Sequence, residues 1–147
     1  MLNLKLKTKE FDGLYELGNP KYVMMLENLI YAYASNKSSN QYKNGTWESI
    51  NVQVQNEEIS FWYFELKTSS TFPFINENKQ RDEIVSSKCF SILSFTFALT
   101  HLINLIYEDD SQTELITELT SLYYLIKMNI DSILNEKEVE IFLSIID

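Results

Sequence analysis

One cysteine, one histidine, three glycines and two prolines are all that this chain of 147 residues offers of the residue types that build disulfides, metal centres, phosphate loops and hinges. Cys89 alone excludes an intramolecular disulfide and gives no sign of secretion. Without a glycine-rich phosphate loop, nucleotide hydrolysis of the P-loop kind is excluded. No proline-rich or Ser/Gly-rich segment is long enough to link two cores, and no repeat recurs at a period of about 20 to 50 residues. The expectation is therefore one domain over residues 1–147, a size at which most of the unfolded surface can be buried.

The single histidine restricts catalysis further. His101 lies in "SFTFALTHLIN", within the longest apolar run. A Cys–His pair would need Cys89 and His101 in hydrogen-bond reach, but twelve residues of continuous helix separate them by ~18 Å. No GxSxG marks an activated serine, and neither HxxxH nor CxxC supplies metal ligands. The sequence predicts no enzyme, no metal and no cofactor.

Positive charge is also scarce. Twenty-one acidic against twelve basic residues give a net charge of −9 and a pI near 4.6. A surface that tracks phosphates needs clustered Lys and Arg, so direct nucleic-acid binding is not expected, and a basic or DNA-handling protein is the better partner. The imbalance is uneven: from Tyr107 onward stand ten carboxylates and only Lys127 and Lys137, whereas Lys5, Lys7 and Lys9 make the start locally basic. "MLNLKLKTKE" has no continuous apolar core, so it does not read as a signal peptide, and a cytoplasmic location is expected.

Residues Cys89–Tyr107 carry no formal charge and reach the length of a membrane span. Ser91, Ser94, Thr96, Thr100, His101 and Asn104 interrupt them, while Ile92, Phe95, Leu99, Leu102, Ile103 and Ile106 gather on one arc, the pattern of a buried amphipathic helix. No membrane association is expected. His101 falls beside Ser94 and Asn104 at the polar seam of that arc, where a hydrogen bond tying the helix to the sheet is its expected role.

The elements present point to an α+β fold. "NPKYVMMLENLIYAYASNK" opens with Asn19 at the cap and Pro20 at the first helical position, followed by Tyr22, Met25, Leu26, Leu29, Ile30 and Tyr33 at helical spacing. From Trp47 the period changes to two: "WESINVQVQ", "ISFWYFELK" and "TFPFI", separated by "NEE" and "TSS", predict a three-stranded antiparallel meander with Pro73 on an edge. After a polar link, "NENKQRDE", three helices are predicted. They run over 85–107, from "SQTE" to about Asn129, and from "NEKE" to the end, with Ser111/Glu114 and Asn135/Glu138 at capping-box spacing. Helix 85–107 is the expected centre of the core.

Carboxylate pairs at Glu57/Glu58, Asp82/Glu83 and Asp109/Asp110 fit turns and helix starts. Asp110, Glu114 and Glu118 have i, i+4, i+8 spacing, which sets them on one helix face at ~6 Å intervals and makes an acidic interaction face that could occupy a basic groove. The aromatic run "FWYFEL" lacks interleaved Lys or Arg, so core packing explains it better than base stacking.

Three pieces in order carry a resemblance. "FALTHL" at 97–102 resembles the "FALSHL" helix motif of the ArdB/KlcA antirestriction family. "FWYFELKTSSTFPFI" is similar to that family's aromatic hairpin, with Phe61, Phe64, Leu66 and Phe72 in corresponding places and Trp62 between them. "NEKEVEIFLSIID" is similar to its acidic last helix, closing on Ile146 and Asp147. The match runs over about residues 60–147 and, more loosely, the first helix and "YKNGTW". Ser69 and Ser70 stand where the family turn has glycines, Phe61 where it has tryptophan, and "SINVQVQNEEI" is additional. The resemblance implies a compact α+β inhibitor of type I restriction-modification enzymes that protects mobile-element DNA in a bacterial host, with Asp147, the aromatic hairpin and His101 as positions to test. It does not imply DNA mimicry. An acidic immunity or antitoxin-like protein that neutralises a basic toxin is the alternative, and a homodimer is left open.

Overall fold

The computed structural model describes residues 3–5, 20–54 and 58–147, with side chains from residue 21 onward. Asn19, Lys7, Lys9 and Glu57, together with most of the "NEE" turn, lie outside the described residues.

Helix α1 spans Pro20–Lys37 and buries Tyr22, Val23, Leu26, Ile30 and Ala34. Met25, Leu29 and Tyr33 of the expected stripe lie at its edge, partly buried. The helix closes at Ser39 and Asn40, both with positive φ, and the Asn40 N–H reaches back to the Ser35 carbonyl at 2.8 Å. Residues 41–45 then bring the chain into the sheet. Gly45 suits that approach, because its backbone has a φ of 158°, which other residues rarely adopt, and a Cβ there would press on the end of the Leu66 side chain.

Strands β2 (Thr46–Val54) and β3 (Ile59–Leu66) form an antiparallel hairpin, flanked by a short strand β1 (Asn3–Lys5) parallel to β2. The predicted meander does not continue. Strand β4 (Thr71–Asn76) pairs with β5 (Arg81–Ser86), making a separate two-stranded ribbon. The reason lies at the end of β3. The Ser91 hydroxyl accepts from the Leu66 N–H at 2.8 Å, and the Ser87 hydroxyl donates to the Leu66 carbonyl at 2.6 Å. Helix hydroxyls thus use the polar groups that would have begun a β3–β4 ladder. The "NENKQRDE" segment read as a link is in fact a turn over residues 77–80, with Gln80 at positive φ, followed by strand β5. Pro73 stands opposite Ile84 in a ribbon whose strands each keep an unpaired edge.

Helix α2 (Ser87–Ile106) starts two residues later than expected, capped by the Ser86 hydroxyl on the Cys89 N–H. It packs against α1, β3, β4, β5 and the two later helices, and thirteen of its residues are buried. It is long and apolar enough to cross a membrane, yet in this fold it is the centre of the core. Its Thr96 and Thr100 hydroxyls donate to carbonyls four residues back.

A 3₁₀ turn (Asp110–Gln112) leads into α3 (Thr113–Met128), and a second one (Ile130–Ser132) into α4 (Glu136–Ile146). The capping box expected at Ser111 does not form: Asp109 accepts from the Ser111 N–H and hydroxyl, and α3 begins without a side-chain cap. At α4 half of the box forms, with Asn135 accepting from the Glu138 N–H at 2.9 Å. Glu138 points elsewhere: its carboxylate accepts from the Ser86 N–H (2.9 Å) and hydroxyl (2.8 Å), pinning the start of α4 to the start of α2. The other end of α4 is held by the β4–β5 turn, where the Asn78 amide donates to the carbonyls of Ser144 and Ile145.

Candidate functional site

The sequence-derived positions fall into four separate places. Phe61, Trp62 and Phe64 are in the core, the last with no exposed surface. Trp62 and Phe64 meet Phe95 of α2 edge-on at centroid distances of 5.4 and 5.8 Å. Phe72, partly buried, stacks on Phe90 at 4.5 Å, next to Tyr42. Tyr42 in turn accepts from the Trp47 indole N–H at 2.9 Å. The aromatic strands therefore feed the core, as their alternation and lack of interleaved cations suggested.

His101 lies at the α1–α2 contact. Its Nδ1 is 2.8 Å from the Tyr33 hydroxyl, and that ring stacks on Phe97 at 5.5 Å. The histidine thus ties α2 to a helix and not to the sheet, because the seam on which it sits faces α1, an element with which α2 makes extensive contact. Burial pushes the Tyr33 phenol up. Lys37 of α1 lies over Phe97 at 5.0 Å and pairs with Glu77 at 2.9 Å, which holds the Glu77 carboxyl below its usual range.

Cys89 is buried at the first turn of α2, on the same unbroken helix as His101, so the two do not form a pair. Burial, and behind it the Glu138 carboxylate, push its thiol up, the opposite of what a thiolate nucleophile requires. Among the described residues no group of three or more His, Cys, Asp or Glu side chains is gathered in a metal-binding arrangement.

A cavity of about 330 Å³ opens between residues 67–71 and the start of α2. Lys67, Lys88, Glu65 and a row of Ser and Thr side chains line it. Glu65 is committed internally, accepting from the Tyr63 hydroxyl at 2.6 Å and from Lys67 at 3.0 Å. Burial raises the Tyr63 phenol strongly, and the neighbouring Glu65 carboxylate adds to this.

At the far corner, Asp147 accepts from Lys127 of α3 at 2.6 Å. The pairing raises the Lys127 ammonium and leaves the carboxylate half-exposed. Asp147 also donates its backbone N–H to Leu143, extending α4 by one bond.

The acidic row is exposed but not collinear. Glu114 and Glu118 are on α3, whereas Asp110 belongs to the preceding 3₁₀ turn, so the i, i+4, i+8 geometry holds only for the last two. Beyond them, Thr113, Thr117, Ser121, Tyr124 and Met128 complete one exposed face running the whole length of α3. Tyr124 and Met128 are 56% and 76% exposed, and no motif in the sequence marks them. The buried stripe Leu115, Leu119, Leu122 and Ile126 excludes both, and that spacing is the signal that could have found them.

No protein-family model matches the sequence, and no curated protein matches it. Among solved structures, the chain is similar to one described as showing that the KlcA and ArdB proteins have "a novel fold and antirestriction activity against Type I DNA restriction systems in vivo but not in vitro". The two superpose with a TM-score of 0.65 over 97% of this chain and 92% of the other, at 16% sequence identity. The chain therefore has the fold seen in the KlcA and ArdB antirestriction proteins.

Proposed function

We propose that this chain is a divergent ArdB/KlcA-type antirestriction protein that inhibits type I restriction-modification enzymes and protects the DNA of mobile elements in a bacterial host. The observation that carries the reading is the shared fold over nearly the full length of both chains, at the same time as "FALTHL" and the closing Ile146–Asp147 stand in the family's order. Composition supports the same direction. A net charge of −9 suits contact with a DNA-handling protein better than contact with DNA. The partner is then a host defence protein, the restriction complex itself or a protein that controls it.

Because the structural relatives act in vivo and not in vitro, the test belongs in cells. Unmodified phage is plated on lawns that carry a type I restriction system, with and without this chain expressed, and on a lawn lacking the system. The reading predicts higher plating on the restricting lawn alone. Equal plating with and without the chain, at confirmed soluble expression, removes it.

A further inference from the structure

We propose that the exposed face of α3 is the surface that docks the host partner, and that it enters a protein groove with an apolar floor and a Lys/Arg-lined end. The inference rests on the antirestriction reading and adds the contact surface and its chemistry.

The face consists of Thr113, Glu114, Thr117, Glu118, Ser121, Tyr124 and Met128, all exposed. At 100° per residue they lie within one arc, opposite the stripe Leu115, Leu119, Leu122 and Ile126 that holds α3 to the core. The arc is graded along its ~22 Å length: carboxylates alternating with hydroxyls in the first half, a tyrosine and a methionine at the end. Tyr124 and Met128, one turn apart, are the large side chains of the face that can anchor in a groove, with the small Thr117 and Ser121 before them on the same line. Tyrosine and methionine are enriched at protein interfaces, and two large side chains so exposed on one helix end are otherwise a solvation cost.

Charge selects the occupant. No cation lies on the arc; the nearest, Lys127, is at its flank and is held by Asp147. Asp109 and Asp110 extend the negative end beyond Glu114. Such a face repels nucleic-acid phosphates, and a second copy with a net charge of −9 is opposed by the same field. A basic-rimmed protein groove complements both ends.

Two variants, Tyr124→Ala/Met128→Ala and Glu114→Gln/Glu118→Gln, are compared with the wild type in the plating assay, with thermal midpoints measured on the purified proteins. In parallel a photo-crosslinking amino acid replaces Tyr124 in restricting cells, and cross-linked peptides are sequenced. The expected result is unchanged midpoints and at least a tenfold loss of protection for the first variant. A smaller loss is expected for the second, with cross-links to Lys- or Arg-containing peptides of a restriction subunit. Full protection by both variants overturns the proposal while leaving the antirestriction reading in place. Cross-links to a second copy of the chain or to nucleic acid also overturn it. Failure of the wild type to protect removes the antirestriction reading, and this proposal with it.

Discussion

Strand β3 buries six consecutive residues, Phe61 to Leu66, whereas α3 leaves seven of its sixteen exposed. Both are rich in large side chains, and both lie against α2. From Phe61 onward the strand meets protein on both faces, so each of those six side chains has a packing role. The helix meets protein along one stripe, with Ile116, Tyr123 and Leu125 partly buried beside it, and presents its opposite face to solvent. The richest chemistry in the sequence, the aromatic run, is thus the least accessible, and a helix of ordinary composition offers the surface.

The sharpest way to break this contrast is Phe64→Ala. Removing a fully buried ring that contacts Trp62 and Phe95 should cost about 3–5 kcal/mol, read from denaturant unfolding. A loss below about 1 kcal/mol would mean that β3 is not packed on both faces.

Next is Glu138→Ala, which leaves the Ser86 N–H without its acceptor and frees the start of α4 from α2. It should cost about 1–3 kcal/mol by the same measurement.

A third prediction concerns pH. Burial raises the Tyr63, Tyr42 and Tyr33 phenols above their ordinary value, so the folded chain keeps protons that the unfolded chain releases above pH about 10. The stability they contribute is fully present below that pH and is lost as pH rises past it. Thermal midpoints should fall on going from pH 9 to pH 11, and less steeply in Tyr63→Phe; parallel slopes would contradict the assignment.

The smallest stability effect is expected on α3. Tyr124→Ala/Met128→Ala should move unfolding by no more than about 0.5 kcal/mol, since both side chains are mostly exposed and the ring contact of Tyr124 is an edge-on one with its neighbour Tyr123. A larger loss would show that the face is structural.

Much of this was legible in the sequence. The apolar run around Phe95 and Leu99 placed the central helix, and Asn135 placed the start of α4. Strand β5 was hidden because Arg81, Asp82 and Glu83 make half of a six-residue strand charged, and a two-stranded ribbon with open edges tolerates that. The missing β3–β4 ladder depended on Ser87 and Ser91, about two dozen residues away in sequence, taking the backbone of Leu66. The partner of His101 was likewise non-local, Tyr33 lying 68 residues earlier. The helical wheel sets Ser94 at the same polar seam as His101, yet it is fully buried, and its hydroxyl has no hydrogen-bond partner among the described residues. Ion pairs such as Lys127–Asp147 depend on tertiary placement that no local pattern encodes. The burial of Phe61, Trp62 and Phe64 and the exposure of Glu114 and Glu118 followed from alternation and helical spacing, whereas the ion pair that holds Asp147 did not.

The most direct measurement is the efficiency with which unmodified phage plates on a type I-restricting lawn expressing this chain, divided by that on the same lawn without it. The account predicts a ratio well above one, returning to one on a lawn lacking the restriction system. A ratio of one on the restricting lawn, with the protein soluble and folded, would contradict it.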